Sequence, residues 1–146
     1  MWLSKGNLLN QSFEIQWPDR YRPGRNECCA LALGIYLTSQ ERFDEAMQIY
    51  ETALQKNPDD MGITYQVGRT ASISGDYQDL GITAFSRYLD YTPKPDEPGL
   101  DWANYRLGLI YQQQGKTEQA KHHYQQALVL NSDHPEAEKA LKKIGR

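Results

Sequence analysis

Cysteine is scarce in this chain: 146 residues contain only two, the adjacent Cys28 and Cys29. Two thiols cannot make a disulfide framework, so a small cross-linked secreted scaffold is excluded. Neighbouring side chains in a helix diverge by about 100°, so the pair reads as small packing residues rather than a redox couple. A basic excess is also missing. Lys and Arg total 16 against 19 Asp and Glu, a net charge of −3, which argues against nucleic acid as a partner. No apolar run reaches the roughly 18 residues of a spanning helix, so membrane insertion is not expected. A basic stretch followed by an apolar core, the mark of a secretion signal, is absent from the N-terminus. With the unbridged cysteines this favours a reducing, cytoplasmic setting.

Enzyme signatures are lacking too. There is no Gly-rich phosphate loop, no nucleophile elbow and no HExxH. The chain is therefore expected to be non-catalytic and to carry no cofactor. His122 and His123, with Glu118 four residues before His122, have no third ligand at a suitable spacing. They read as a solvated helix face, and no metal site is expected.

What the chain does contain is internal repetition, the first thing to establish in such a sequence. Gly34, Gly68 and Gly108 each follow an apolar residue, at spacings of 34 and 40 residues. Seven residues after each glycine come Glu41, Gly75 and Gly115, and two further on Phe43, Tyr77 and Thr117. A small residue follows in each unit (Ala46, Gly81, Ala120), then a pair on one stripe: Tyr50 with Ala53, Phe85 with Tyr88, Tyr124 with Ala127. Breakers close the units at Asn57-Pro58, Thr92-Pro93 and Asn131-Ser132. The second unit is longer by one residue between Tyr77 and Gly81 and by five in the Lys94–Gly99 stretch, and both read as loop insertions.

Each unit holds two apolar stripes of helical period. In the first, Ala30, Leu33 and Leu37 share one face, and Phe43, Ala46, Tyr50 and Ala53 another. A glycine inside a helix costs about 1 kcal/mol relative to alanine, so three at equivalent places point to packing. They let the first helix approach the second closely, with Ala46 and Ala120 receiving it. Pro58 and Pro93 are expected to end the second helices.

This pattern resembles the tetratricopeptide repeat, a 34-residue helix–turn–helix unit with small residues at its eighth and twentieth positions and proline at its thirty-second. Unit one matches with Gly34, Ala46 and Pro58, unit two with Gly68, Gly81 and Pro93, and unit three with Gly108 and Ala120, with Ser132 in the proline's place. The resemblance implies an all-α fold, an α-solenoid of three helix–turn–helix repeats over 27–60, 61–94 and 101–134. A capping helix at 135–146 follows, started by Asp133 as the cap with Glu136 in a capping box. It carries Ala137, Ala140, Leu141 and Ile144 on one face, and Lys142, Lys143 and Arg146 suit its C-terminal end.

Residues 1–26 do not fit the repeat and read as an extended or irregular arm. Three placements stay open for it: a cover over the first repeat, exchange with a second molecule to make a homodimer, or the remnant of a longer protein.

The resemblance further implies a curved stack whose first helices line a concave groove open to a protein or peptide partner. The family's groove positions place Leu31 and Ile35 in unit one, Tyr65, Gln66 and Arg69 in unit two, and Trp102, Tyr105, Arg106 and Gln113 in unit three. Aromatics and arginine are the residue types that dominate binding hot spots. Changing Tyr65, Arg69 or Arg106 to Ala is expected to weaken binding without loss of helicity. The family's best-defined ligand is the C-terminal carboxylate of heat-shock chaperones. Its clamp positions hold Leu31, Ile35, Gln66, Trp102 and Arg106 here, and only Arg106 matches, which argues against that ligand. An extended peptide with an acidic group near Arg69 and Arg106 fits better. The alternative is a structural or oligomerising scaffold whose groove is filled by its own or a neighbour's N-terminal arm.

Overall fold

The computed structural model describes residues 29–145. The arm at 1–26, and with it the expected cover or exchange, lies outside the described residues. Seven helices follow in order: α1 Cys29–Ser39, α2 Phe43–Lys56, α3 Met61–Ser74, α4 Gln78–Leu89, α5 Leu100–Gln113, α6 Thr117–Leu130 and α7 Pro135–Ile144. No strand occurs among the described residues. The helices pair as α1–α2, α3–α4 and α5–α6, each second helix also packs on the next first helix, and α7 closes the end against α6. The fold is an α-solenoid of three helix–turn–helix repeats with a C-terminal capping helix.

The turns show why each pair folds back on itself. Gly75 and Gly115 adopt left-handed backbone, φ 74° and 75°, the conformation that costs glycine nothing and ends helices readily. In the first unit Glu41 takes the same conformation, φ 59°. The capping bonds match as well: Arg42 N–H donates to Leu37 C=O at 2.9 Å, and Lys116 N–H to Tyr111 C=O at 2.9 Å. The extra residue of unit two is absorbed at Tyr77, which also turns left-handed, φ 57°, and delays the start of α4 to Gln78. Its hydroxyl donates to the Asp44 carboxylate on α2, tying the irregular turn to the preceding unit.

The repeated glycines do something more specific than bring two backbones together. A Cβ on Gly34 would lie 2.1 Å from the Tyr50 ring, one on Gly68 2.6 Å from the Phe85 ring, and one on Gly108 2.6 Å from the Tyr124 ring. All three rings are fully buried. The space left by each glycine is thus filled by an aromatic side chain from the partner helix. Ala46, Gly81 and Ala120 lie one turn before these aromatics and are also buried. In unit two, Tyr88 stands where the other units have Ala53 and Ala127. Its ring is buried and its hydroxyl donates to Pro98 C=O at 2.7 Å, so the larger residue anchors the inserted loop.

The second helices end at similar places with or without proline. Asn57 N–H donates to Ala53 C=O at 3.0 Å before Pro58, and Asn131 N–H to Ala127 C=O at 2.9 Å where Ser132 replaces proline. The cap of α7 differs from expectation. His134, not Asp133, is the N-cap, and its Nδ1 accepts from Ala137 N–H at 3.4 Å. Asp133 N–H instead donates to Asn131 Oδ1 at 3.1 Å, which closes a local turn and leaves the Asp133 residue exposed.

Candidate functional site

The first helices touch one another along the stack, α1 with α3 and α3 with α5, and the second helices make no comparable contact. Successive elements of a curved stack are closest on its inner side, so α1, α3 and α5 line the concave face. Polar bonds cross both of these seams. Thr38 and Thr70 hydroxyls meet at 2.9 Å between α1 and α3. Between α3 and α5, Arg106 Nε donates to the Tyr65 hydroxyl at 3.3 Å, its Nη1 to Ser72 Oγ at 3.4 Å, and Gln113 Nε2 to Ser72 C=O at 2.8 Å.

The structure separates the nine candidate groove residues into distinct environments. Leu31 is half-buried and packs on the core between α1, α2 and α3. Ile35 is exposed, at 36%. Tyr65 is buried: its ring packs edge-on to Phe85, with centroids 5.6 Å apart, and against Tyr88 at 5.1 Å. Only its hydroxyl takes part in the seam, so its ring is core rather than a groove anchor, a correction to the sequence reading. Burial and, to a lesser degree, the Asp101 carboxylate push the Tyr65 phenol up, while Arg106 and then Arg69 pull it back. Both guanidinium groups therefore act on the same hydroxyl. Gln66 and Arg69 are half-buried, and Gln66 Oε1 and Arg69 Nη1 are buried atoms without a hydrogen-bond partner. Neither Arg69 nor Arg106 pairs with a carboxylate among the described residues.

Trp102 and Tyr105 are turned toward the end of the stack. Their rings lie 4.5 Å and 5.2 Å from the imidazole of His134, and Tyr105 also meets Tyr124 at 5.9 Å. The pair belongs to the junction with α7, and Arg106 sits 6.0 Å from the Trp102 ring centroid. His134 was not singled out by the sequence, although Asp133-His134-Pro135 marks the helix start that it caps.

His123 stacks on Tyr111 with centroids 5.3 Å apart, and its Nδ1 lies 3.1 Å from Asn104 Oδ1. It is thus part of the α5–α6 interface rather than of a solvated face. His122 is exposed and Glu118 pairs with Lys121 at 3.2 Å. Among the described residues no group of His, Cys, Asp and Glu is placed to hold a metal ion, and no helix is long and apolar enough to cross a membrane.

Among the described residues, the exposed large apolar side chains fall in two places: Ile35, Tyr36 and Ile73 on α1 and α3, and Val129 and Leu130 at the end of α6. Ile73 lies one turn beyond Arg69 on the same helix stripe. The first helices therefore carry two half-buried arginines and exposed isoleucines, while the unpartnered amide oxygen of Gln66 is itself buried.

Comparison with known proteins agrees with this architecture. Sequence models described as tetratricopeptide repeat match residues 102–134 and residues 29–57. Those two matches leave out α3–α4, the unit with the extra residue at Tyr77 and the inserted loop. Among solved structures, a mutant of MamA is similar with a TM-score of 0.64 and 19% identity, over 88% of this chain and 69% of that one. A second MamA structure, from AMB-1, gives 0.65 and 20% identity, over 85% and 65%. This chain thus spans about two thirds of the length of those MamA chains. No curated protein matches the sequence. The repeated Gly–aromatic contacts, the stacked helix pairs and the family matches together show a tetratricopeptide-repeat fold, with repeats of that family at residues 29–57 and 102–134.

Proposed function

We propose that the chain is a non-catalytic adaptor that holds a segment of a partner protein against its concave face, along α1, α3 and α5. The observation that carries this reading is the combination on one face of exposed Ile35 and Ile73 with two arginines that lack carboxylate partners. Apolar side chains left in water and cations left unpaired both gain from a partner. The buried Tyr65 ring and the Trp102–Tyr105 pair play a supporting part, one in the core and the other at the α7 junction. Filling of the groove by the chain's own arm is less well matched. Residues 1–28 carry four basic and three acidic side chains, so they bring no net negative charge to Arg69 and Arg106.

The test is to identify partners by pull-down with mass spectrometry and then to map the footprint of a purified partner by hydrogen exchange. Protection is expected on the first helices, around Ile35, Arg69 and Arg106. Protection confined to α2, α4 and α6 would assign binding to the outer face and end this reading.

A further inference from the structure

The cap of α7 rests on a side chain that can change its hydrogen-bonding role. Ser, Thr, Asp and Asn, the usual N-caps, remain acceptors throughout the neutral range. Histidine caps only while the accepting nitrogen is bare, and it is the side chain whose ordinary charge change falls in mildly acidic water. His134 is 2% exposed, and its ring lies against those of Trp102 and Tyr105 on α5. Its Nδ1 meets two groups at once: Ala137 N–H, which donates to it at 3.4 Å, and Glu136 Oε2 at 3.2 Å. One nitrogen cannot serve both. As a bare acceptor it caps Ala137 and turns its lone pair on a carboxylate. As an N–H donor it bonds Glu136 and leaves the Ala137 N–H without this acceptor. The capping form also places the neutral ring's proton on Nε2, a buried atom with no hydrogen-bond partner. The cation, by contrast, gains a charge-assisted bond to Glu136 and two aromatic rings within cation–π distance.

The charged and titratable groups around this ring come from three helices. Glu136 belongs to α7. From α5 come Tyr105 and, beyond Trp102, Arg106, which sits 6.0 Å from the Trp102 ring centroid. Asp101, also on α5, accepts from Asn131 Nδ2 at 2.9 Å. From α6, Tyr124 stands behind Tyr105. Burial holds the Tyr105 phenol up, Arg106 opposes this, and Glu136 adds to it, so Glu136 acts on the whole junction.

We propose that His134 is a proton-operated switch on α7: neutral, it caps the helix through Ala137, and charged, it exchanges that bond for an ion pair with Glu136, so that the first turn of α7 frays. The proton comes from solvent and is held on Nδ1 while Nε2 keeps its own, and no covalent bond between heavy atoms changes. The inference goes beyond the groove reading and does not depend on it.

The experiment is two-dimensional NMR of the full chain, followed from pH 8 to pH 5. The imidazole nitrogen shifts of His134 are expected to pass from a ring bare at Nδ1 to one protonated on both nitrogens. Over the same range the protection factor of the Ala137 amide, corrected for intrinsic exchange, is expected to fall about fivefold, the loss of one N-cap. His134→Asn supplies an acceptor that does not titrate and should make Ala137 protection indifferent to pH. Glu136→Ala removes the partner of the cation and should move the change to lower pH, and His123→Gln should leave it in place. Circular dichroism of each variant verifies folding, and if His134→Asn does not fold, the Glu136→Ala protein decides. A His134 ring that titrates while Ala137 protection stays level, or that takes up no proton above pH 5, overturns the proposal. A fall in protection that survives His134→Asn, or that ignores Glu136→Ala, assigns the fraying to another group and overturns it too.

Discussion

The ring of Tyr50 occupies the volume that a side chain on Gly34 would need, with its Cε1 2.1 Å from the position of a Cβ. The contact joins α1 to α2 across the middle of the first repeat, and both residues are buried. Gly34→Ala must therefore push a fully buried ring aside, and overpacking of this kind costs about 1–3 kcal/mol. The gain in helix propensity, about 1 kcal/mol, does not offset it. Gly62 supplies the contrast. A Cβ there would approach only Asp60 Oδ1, at 3.4 Å, so Gly62→Ala is expected to be neutral or slightly stabilising. Urea unfolding of the two variants separates them. Equal midpoints would show that the ring contact does not limit residue 34.

Glu41 is the residue of unit one that takes the left-handed backbone used by Gly75 and Gly115 in the other units. A side chain there costs about 1–2 kcal/mol, partly offset because glycine loses more entropy on folding. Glu41→Gly is expected to raise stability by about 0.5–1 kcal/mol. Gly115→Ala, with open space around its Cβ but φ of 75°, should lower stability by about 1 kcal/mol through backbone strain alone. Thermal melts followed by circular dichroism read both changes, and a destabilised Glu41→Gly protein would contradict the backbone account.

Much of this fold was legible in the sequence because its punctuation is chemical. Gly34, Gly68 and Gly108 recur at equivalent places because each must clear an aromatic ring, and Gly75 and Gly115 because the turn needs positive φ. The α7 cap was misassigned because Asp133 and His134 are both capable acceptors, and only the Asn131 turn decides which one faces the helix. The site was less legible. Repeat position indicates which face a residue lies on, but not how deep its side chain sits. Tyr65 and Arg69 are one turn apart on α3, and one is buried in the core while the other is half-buried. That difference is set by contacts with Phe85, Tyr88 and Arg106, none of which is local.

His123 makes stability depend on pH. Burial and then the neighbouring His122 hold its imidazole below the usual histidine range. The folded state therefore binds a proton less readily than the unfolded chain. Its contribution is fully present above the unfolded value of about 6.5 and is lost as pH falls from there, levelling once the folded form also protonates. His123→Gln is expected to flatten the part of the stability profile between about pH 5 and 7 that arises from this group. Urea midpoints measured across that range check it. A slope unchanged by the substitution would place the proton uptake elsewhere.

Tyr65 was expected from its repeat position to be a groove residue whose removal would weaken binding and spare the fold. The structure changes that outcome. The ring is 4% exposed and packs on Phe85 and Tyr88, so Tyr65→Ala leaves a cavity in the core between α3, α4 and α5. Truncating a buried aromatic costs about 3–5 kcal/mol, a large share of the stability of a domain this size. Tyr65→Phe keeps the ring and removes only the oxygen that accepts from Arg106 Nε at 3.3 Å. Its cost should be near that of one hydrogen bond to a charged group, about 1.5–3 kcal/mol at most for a partly buried pair. The two variants thus separate packing from the seam. A double-mutant cycle of Tyr65→Phe with Arg106→Gln, read by urea unfolding, should give a coupling of about 0.5 kcal/mol or more. Additive effects would mean that the hydroxyl and the guanidinium are neighbours without holding α3 to α5, and Arg106 would then be free to follow a ligand.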